Sequence, residues 1–180
     1  MTEAAAAHRA GYAQSPGPRL EAAFRRIRDE RMRDVPILNP RVEVEAVGFR
    51  VWEGRWLGIL ITPWFMNVML LPREGGPWID VAPGAEITWR FPAGDYLFLG
   101  GREEAAGDYQ MCSLFSPMLE FEDHAAARAT AEACLELLLQ PDAAAEPPEG
   151  PVATIRDNVA RPMSKREFLS GAVLRRRDEG

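Results

Sequence analysis

Two histidines and two cysteines are all that this 180-residue chain offers to soft-metal or thiol chemistry. The cysteines, Cys112 and Cys134, stand far apart without a C-x-x-C spacing. That excludes a zinc knuckle or rubredoxin-type iron site within the chain, and two cysteines make no disulfide framework. Lysine is almost absent, Lys165 being the single one among 21 basic residues. The net charge of −6 denies the chain the basic face that a nucleic-acid binder needs to displace counterions from phosphate. Long apolar runs are missing too. Trp56–Leu71 is too short for a spanning helix and is interrupted by Pro63 and Asn67, so no membrane insertion is expected. Met1–Ala10 lacks the basic start and apolar core of a secretory leader, and a reducing, cytoplasmic setting is expected.

Catalytic signatures are equally scarce. His124 beside Asp123 reads as a solvated helix start, because nothing else of metal-ligand spacing surrounds it. No nucleophile elbow occurs, and Gly100-Gly101 is followed by acidic residues that would repel a phosphate. These absences predict no catalytic residues, no metal and no cofactor. Cys112 could be a reactive thiol or a soft ligand that holds a metal fragment, but no positive side chain is close in sequence to lower its pKa. A buried strand cysteine is the plainer reading, and Cys134 reads as helix core.

What the chain does have is pattern. Leu20, Phe24 and Ile27 recur at helical spacing over Arg19–Asp34, and Pro36 stops that helix. Strand patterns follow over Val42–Val51, Trp56–Thr62, Asn67–Leu71, Ile87–Phe91, Tyr96–Leu99 and Tyr109–Phe115. A phase flip beside Gly48, onto Val47, Phe49 and Val51, suggests a bulge. Gly100–Gly107 reads as a polar loop. A second helix over Asp123–Gln140 buries Ala127, Ala131, Cys134, Leu135 and Leu138. The order predicts an α+β fold: an antiparallel sheet of five to six strands flanked by two main helices, with a basic C-terminal tail. Residues 1–15 read as a disordered lead, 16–140 as the α+β domain, and 141–163 as a linker rich in proline and alanine. Residues 164–180 read as the basic tail, of which 164–175 could make a short helix.

Two segments stand out. Val51–Trp64 holds three tryptophans, two glycines and a proline, and runs into the uncharged corner Thr62-Pro63-Trp64-Phe65-Met66. Trp52 and Trp56 read as core residues of a hairpin. A tryptophan after Thr-Pro is harder to bury, since proline pushes a strand toward an edge, so Trp64, Phe65 and Met66 are expected as an exposed docking rim. The second segment is Ser164-Lys165-Arg166-Glu167-Phe168-Leu169. It is similar to a twin-arginine export motif with lysine in the first arginine position. Only Gly171–Leu174 follows as apolar stretch, so it is no working signal. It is either a capped helix start, with Ser164 and Glu167 as capping box, or a mimic that competes for a site recognising such signals.

The E-G-x-W-x-G-x-x-I-T-P-W segment from Glu53 to Trp64 and the C-S-L-x-S-P segment from Cys112 to Pro117 resemble those of the HybE-type [NiFe]-hydrogenase assembly chaperones. The likeness covers about residues 15–140. It implies a cytoplasmic, non-enzymatic chaperone that binds an immature hydrogenase subunit, notably a small-subunit precursor with a twin-arginine signal, until its cofactors are in place. The large subunit or other maturation proteins are further partners the resemblance allows. On this view Thr62, Pro63 and Trp64 with Cys112, Ser113, Leu114, Ser116 and Pro117 line the docking surface, extended by Phe65 and Met66. Glu53 is inferred from charge alone as an acceptor for the signal's arginine pair. The alternatives are a thiol-dependent metal or cofactor carrier, or a generic interaction domain for the large subunit.

Overall fold

The computed structural model describes residues 11–141. Helix α1 (Gly17–Arg31) leads into strands β1 (Glu45–Trp52), β2 (Arg55–Ile61), β3 (Met66–Leu71), β4 (Glu86–Phe91), β5 (Gly94–Glu103) and β6 (Gly107–Phe115), and α2 (His124–Leu138) follows. All six strands join one antiparallel sheet in the order β1-β2-β3-β6-β5-β4. The expected α+β architecture is present, with the sheet at the upper end of the expected strand count. Several details differ from expectation. Helix α1 starts at Gly17 and stops at Arg31 instead of running to Asp34, so Pro36 does not end it. The polar stretch after Leu99 continues β5 as far as Glu103, because Gly100–Glu103 pair with Gly107–Gln110 of β6. Residues 11–15 of the expected disordered lead belong to the body: Tyr12 bridges to Arg73, and its hydroxyl donates to the Ala106 carbonyl.

The outermost strands, β1 and β4, would stand roughly 24 Å apart in a flat sheet of six strands. Instead Trp52 at the end of β1 stacks on Phe91 of β4 with ring centroids 4.3 Å apart. Next to it the Arg55 guanidinium lies 4.4 Å over the Trp89 ring. The sheet is therefore curled, and its edges meet at this aromatic seam. Helix α2 lies along the concave side. It starts against β1, where His124 contacts Glu43 and Glu45, and ends at the β4–β5 turn, where Ala93 N–H donates to the Leu138 carbonyl. Its Ala127, Ala131, Cys134, Leu135 and Leu138 fill the concavity with Leu57, Ile59, Val68, Phe91 and Phe98. These are the helix residues that helical periodicity picks out.

Helix α1 covers the convex face with Leu20, Ala23 and Phe24, packed against Leu60, Trp64, Met69 and Leu71. Alternation along β2 decides the partition: Leu57, Ile59 and Ile61 face inward, Leu60 outward. The β1 register shifts between Val47 and Arg50, so the bulge falls at Gly48, whose φ is 65°. It does not put Val47 and Phe49 on one face. Val47 packs in the concave core and Phe49 on the convex side, because the extra residue restores the flip between them. Phe49 lies over Gly58 of β2, where an added Cβ would come within 2.5 Å of the Phe49 ring. Replacing Gly58 by alanine should thus cost about 1–3 kcal/mol of stability through overpacking, measurable as a lower urea midpoint with unchanged m-value.

Candidate functional site

The Thr62–Met66 corner is a tight connection between two interior strands, β2 and β3. Thr62 builds it. Its hydroxyl accepts from the N–H groups of Trp64 at 3.3 Å and Phe65 at 2.9 Å, and donates to the Phe65 carbonyl at 3.1 Å. Its own N–H donates to that same carbonyl. Side chains of this type serve as turn formers because a short hydroxyl can replace a missing backbone partner. Pro63 closes the turn, and its carbonyl accepts from Asn39 N–H at 2.9 Å.

This arrangement corrects the exposed-rim expectation. Thr62 and Met66 are completely buried, Trp64 is 9% exposed, and Pro63 is buried as well. The edge-strand argument fails because Pro63 sits in the connection and removes no ladder bond from either strand. Trp64 folds back under α1, in the cluster of Leu20 and Phe24. Phe65 alone of the corner is partly open, edge-on to Phe24 at 5.7 Å and to Trp64 at 5.6 Å. Trp52 and Trp56 are half-buried on opposite faces: Trp52 in the seam, and Trp56 outside, donating its indole N–H to the Tyr12 carbonyl at 2.9 Å.

The second segment lies beside the first, since β6 pairs with β3 and Phe115 stands opposite Met66. Strand alternation splits it. Cys112 and Leu114 are half-buried against the concave core, whereas Ser113 is exposed. Ser116 and Pro117, joined by a cis peptide bond, are exposed past the strand end. Glu53 does not join them. It occupies the β1–β2 turn at φ 45°, its carboxylate 3.9 Å from Arg55. The length of β2 separates that turn from the corner by about 20 Å.

A residue that sequence reasoning missed ties this end together. Asn39 is buried, and its amide donates to the carbonyls of Met118 at 3.0 Å and Phe121 at 2.8 Å. Its side-chain oxygen accepts from Arg41 N–H. One residue thereby joins three segments: its side chain ties the loop after α1 to the turn after β6, and its backbone N–H reaches the Pro63 corner. The only signal in the sequence was an asparagine followed by proline at Asn39-Pro40, a general turn mark. Two large apolar residues beside this staple are exposed: Ile37 at 42%, and Leu119, between the two carbonyls held by Asn39, at 59%. Leu119 and Glu120 form the tip of a turn closed by Phe121 N–H on the Met118 carbonyl. Glu120, Glu122 and Asp123 follow, and 113–123 contains no basic residue. Asp123 caps α2 by accepting from Ala126 N–H at 2.7 Å. Neither Glu120 nor Glu122 has a side-chain ion pair among the described residues.

His124 is no simple solvated cap. Its Nδ1 accepts from Glu43 N–H at 3.1 Å, which leaves Nε2 to donate to the Glu45 carboxylate at 2.7 Å. This clamps the start of α2 to β1. Among the described residues no three His, Cys, Asp or Glu side chains are grouped to hold a metal. Burial pushes the Cys112 thiol up to about 11 and the Cys134 thiol up to about 12. Both thiols are therefore protonated at neutral pH, the opposite of what an activated nucleophile requires. Ser164, Lys165, Arg166, Phe168 and Leu169 lie outside the described residues.

These features define the class: an α+β domain of one curled antiparallel sheet with a helix on each face, open at one end in an apolar and acidic turn. The chain belongs to the family of HybE [NiFe]-hydrogenase assembly chaperones, whose model matches residues 15–171. It is 42% identical over 161 residues to the hydrogenase expression/formation protein HupJ of Bradyrhizobium diazoefficiens, covering 89% of this chain and 90% of that one. It is 47% identical over 103 residues to the probable rubredoxin HupJ of Rhodobacter capsulatus, spanning 57% of this chain but 37% of that longer protein. The solution structure of HybE from Escherichia coli superposes with a TM-score of 0.61 at 28% identity, covering 81% of this chain and 91% of that one.

Trp64→Ala should lose about 3–5 kcal/mol in denaturant unfolding, as expected for emptying a buried tryptophan site. Cys112 in the folded protein should react with iodoacetamide at pH 8 about a hundredfold more slowly than a free thiol. Its rate should still be climbing as the pH approaches about 11.

Proposed function

We propose that the protein is a cytoplasmic, non-enzymatic chaperone that holds a [NiFe]-hydrogenase small-subunit precursor through its twin-arginine signal until cofactor insertion is complete. The observation that carries this reading is the turn after β6, within a family of hydrogenase assembly chaperones. There Leu119 is exposed beside Glu120 and Glu122, which are unpaired among the described residues, and Ile37 is exposed in the loop that Asn39 ties to this turn. A paired-arginine signal followed by apolar residues has the complementary chemistry: guanidinium groups for the carboxylates, aliphatic side chains for Leu119.

The docking surface in this reading is shifted from the sequence expectation. Pro63 braces it through its carbonyl bond to the Asn39 N–H, while Thr62, Trp64 and Met66 are buried in the corner. Ser113, Ser116 and Pro117 lead into it along the chain, and Phe65 packs against Phe24 of α1. The carrier alternative draws no support from Cys112, whose half-buried thiol has no grouped metal-ligating partners among the described residues.

Captured from cells, the wild-type protein should bring down the small subunit with its signal intact. Leu119→Asp combined with Glu120→Lys should cut that capture at least about tenfold while leaving the melting temperature unchanged. Capture of the large subunit alone, or of the small subunit undiminished by the double change, would overturn the assignment.

A further inference from the structure

The signal-like segment toward the C-terminal end of the chain has the same chemistry as the proposed partner. Lys165-Arg166 presents two adjacent cations, and Phe168-Leu169 two adjacent large apolar side chains shortly after them. Positions 156–180 carry seven basic and four acidic side chains, against 14 basic and 23 acidic over positions 1–155. The turn after β6 and the loop that Asn39 ties to it offer the reciprocal set: Leu119 and Ile37 exposed, and Glu120 and Glu122 without basic partners among the described residues. Several other carboxylates on the body are already engaged by arginines. Glu21 pairs with Arg25, Glu43 with Arg28, Glu45 with Arg128, and Asp95 with Arg90. Among unpaired carboxylates, Glu120 and Glu122 are distinguished by flanking Leu119, the most exposed large apolar side chain of the described residues.

The chain is also long enough. Helix α2 begins right after Asp123, beside this turn, and ends at the β4–β5 turn. At the rise of an α-helix it carries the chain about 22 Å away. The stretch between Pro141 and Ser164 can span at most roughly 75 Å. The return distance is well within that reach. A segment tethered in this way competes at the effective concentration its connection sets, on the order of millimolar for short linkers, without needing high intrinsic affinity.

We infer that residues 164–169 of the free protein dock on the Leu119–Glu122 turn of the same molecule, Lys165 and Arg166 against Glu120 and Glu122, and Phe168 and Leu169 against Leu119 and Ile37. This rests on the proposed function for the identity of the site, and adds that the site is self-occupied until a stronger signal displaces the tail. The chaperone then exposes its apolar turn only to a partner able to compete. The opposing interaction also sets a threshold on what it will hold.

The full-length chain permits a direct test, because both native thiols are protonated and label slowly. Spin labels at Ala125→Cys, on the first turn of α2, and at Ser170→Cys report their separation by dipolar spectroscopy. A narrow, short separation is expected. It should be lost in Lys165→Glu/Arg166→Glu and equally in Glu120→Lys/Glu122→Lys, and should survive dilution with unlabelled protein. A broad distribution in the wild type, or a narrow one that survives both charge reversals, overturns the inference. Loss on dilution does so as well, since the occupant would then be the tail of a second copy. Adding a synthetic twin-arginine peptide separates the two proposals. If the narrow separation meets its controls but the peptide does not disturb it, self-docking stands and the small-subunit reading falls. If the peptide binds while no narrow separation exists, self-docking falls alone.

Discussion

The contact between the two edges of the sheet governs the molecule. Trp52 on Phe91 brings together β1 and β4, at opposite ends of the strand order, and Arg55 of β2 over Trp89 reinforces the contact. Curling the sheet turns one face into a trough just wide enough for α2, and the small residues Ala127 and Ala131 let the helix sink into it. The same curl leaves a convex back that α1 covers. Arg55 is costly here, since its guanidinium is nearly buried and its Nε has no hydrogen-bond partner among the described residues. The stacked indole of Trp89 and the Glu53 carbonyl, 3.0 Å from Nη1, offset part of that desolvation. Trp89 is in turn held by its 2.6 Å bond to the buried Gln110 amide, whose nitrogen donates to the Ile79 carbonyl. The seam is therefore braced from β6 and from the loop before β4.

At the far end of the sheet, polar side chains do the corresponding work. Thr62 satisfies the backbone of the β2–β3 connection, and Asn39 satisfies two carbonyls of the turn after β6. Buried polar groups of this kind stabilise a single arrangement because leaving any one of them unpaired is expensive. With the turn fixed from inside, Leu119 and Glu120 are held outward at its tip. The exposed apolar tip is thus placed on a rigid base. The proposed partner surface and the proposed tail contact both use that tip, so binding and self-occupancy are two states of one site.

How much of this was legible depended on the range of the interaction. Helix α2 was readable to the residue, because Ala127, Ala131, Cys134, Leu135 and Leu138 follow one face of a helical repeat. The hairpin at Glu53-Gly54 and the bulge at Gly48 were legible from local turn chemistry and phase. Trp64 was misread, since composition marks an aromatic corner without saying which way it folds, and α1 covers it from far upstream in the chain. The Cys112–Pro117 motif was read as one surface, yet strand alternation sends Cys112 and Leu114 inward and Ser113 outward. Asn39 gave almost no warning, as the carbonyls it holds lie 79 and 82 positions away.

The sequence by itself determined the α+β class, the positions of both helices and six strands, the family, and the poverty of catalytic chemistry. Those follow from periodicity, turn residues and composition, which act over a few residues at a time. Only the tertiary structure decided that the sheet curls until Trp52 meets Phe91, that the Thr-Pro-Trp corner is interior, and that the exposed apolar tip is Leu119. Each of those depends on contacts between segments far apart in the chain. Burial is a property of what arrives from elsewhere to cover a side chain, and no local pattern carries that information.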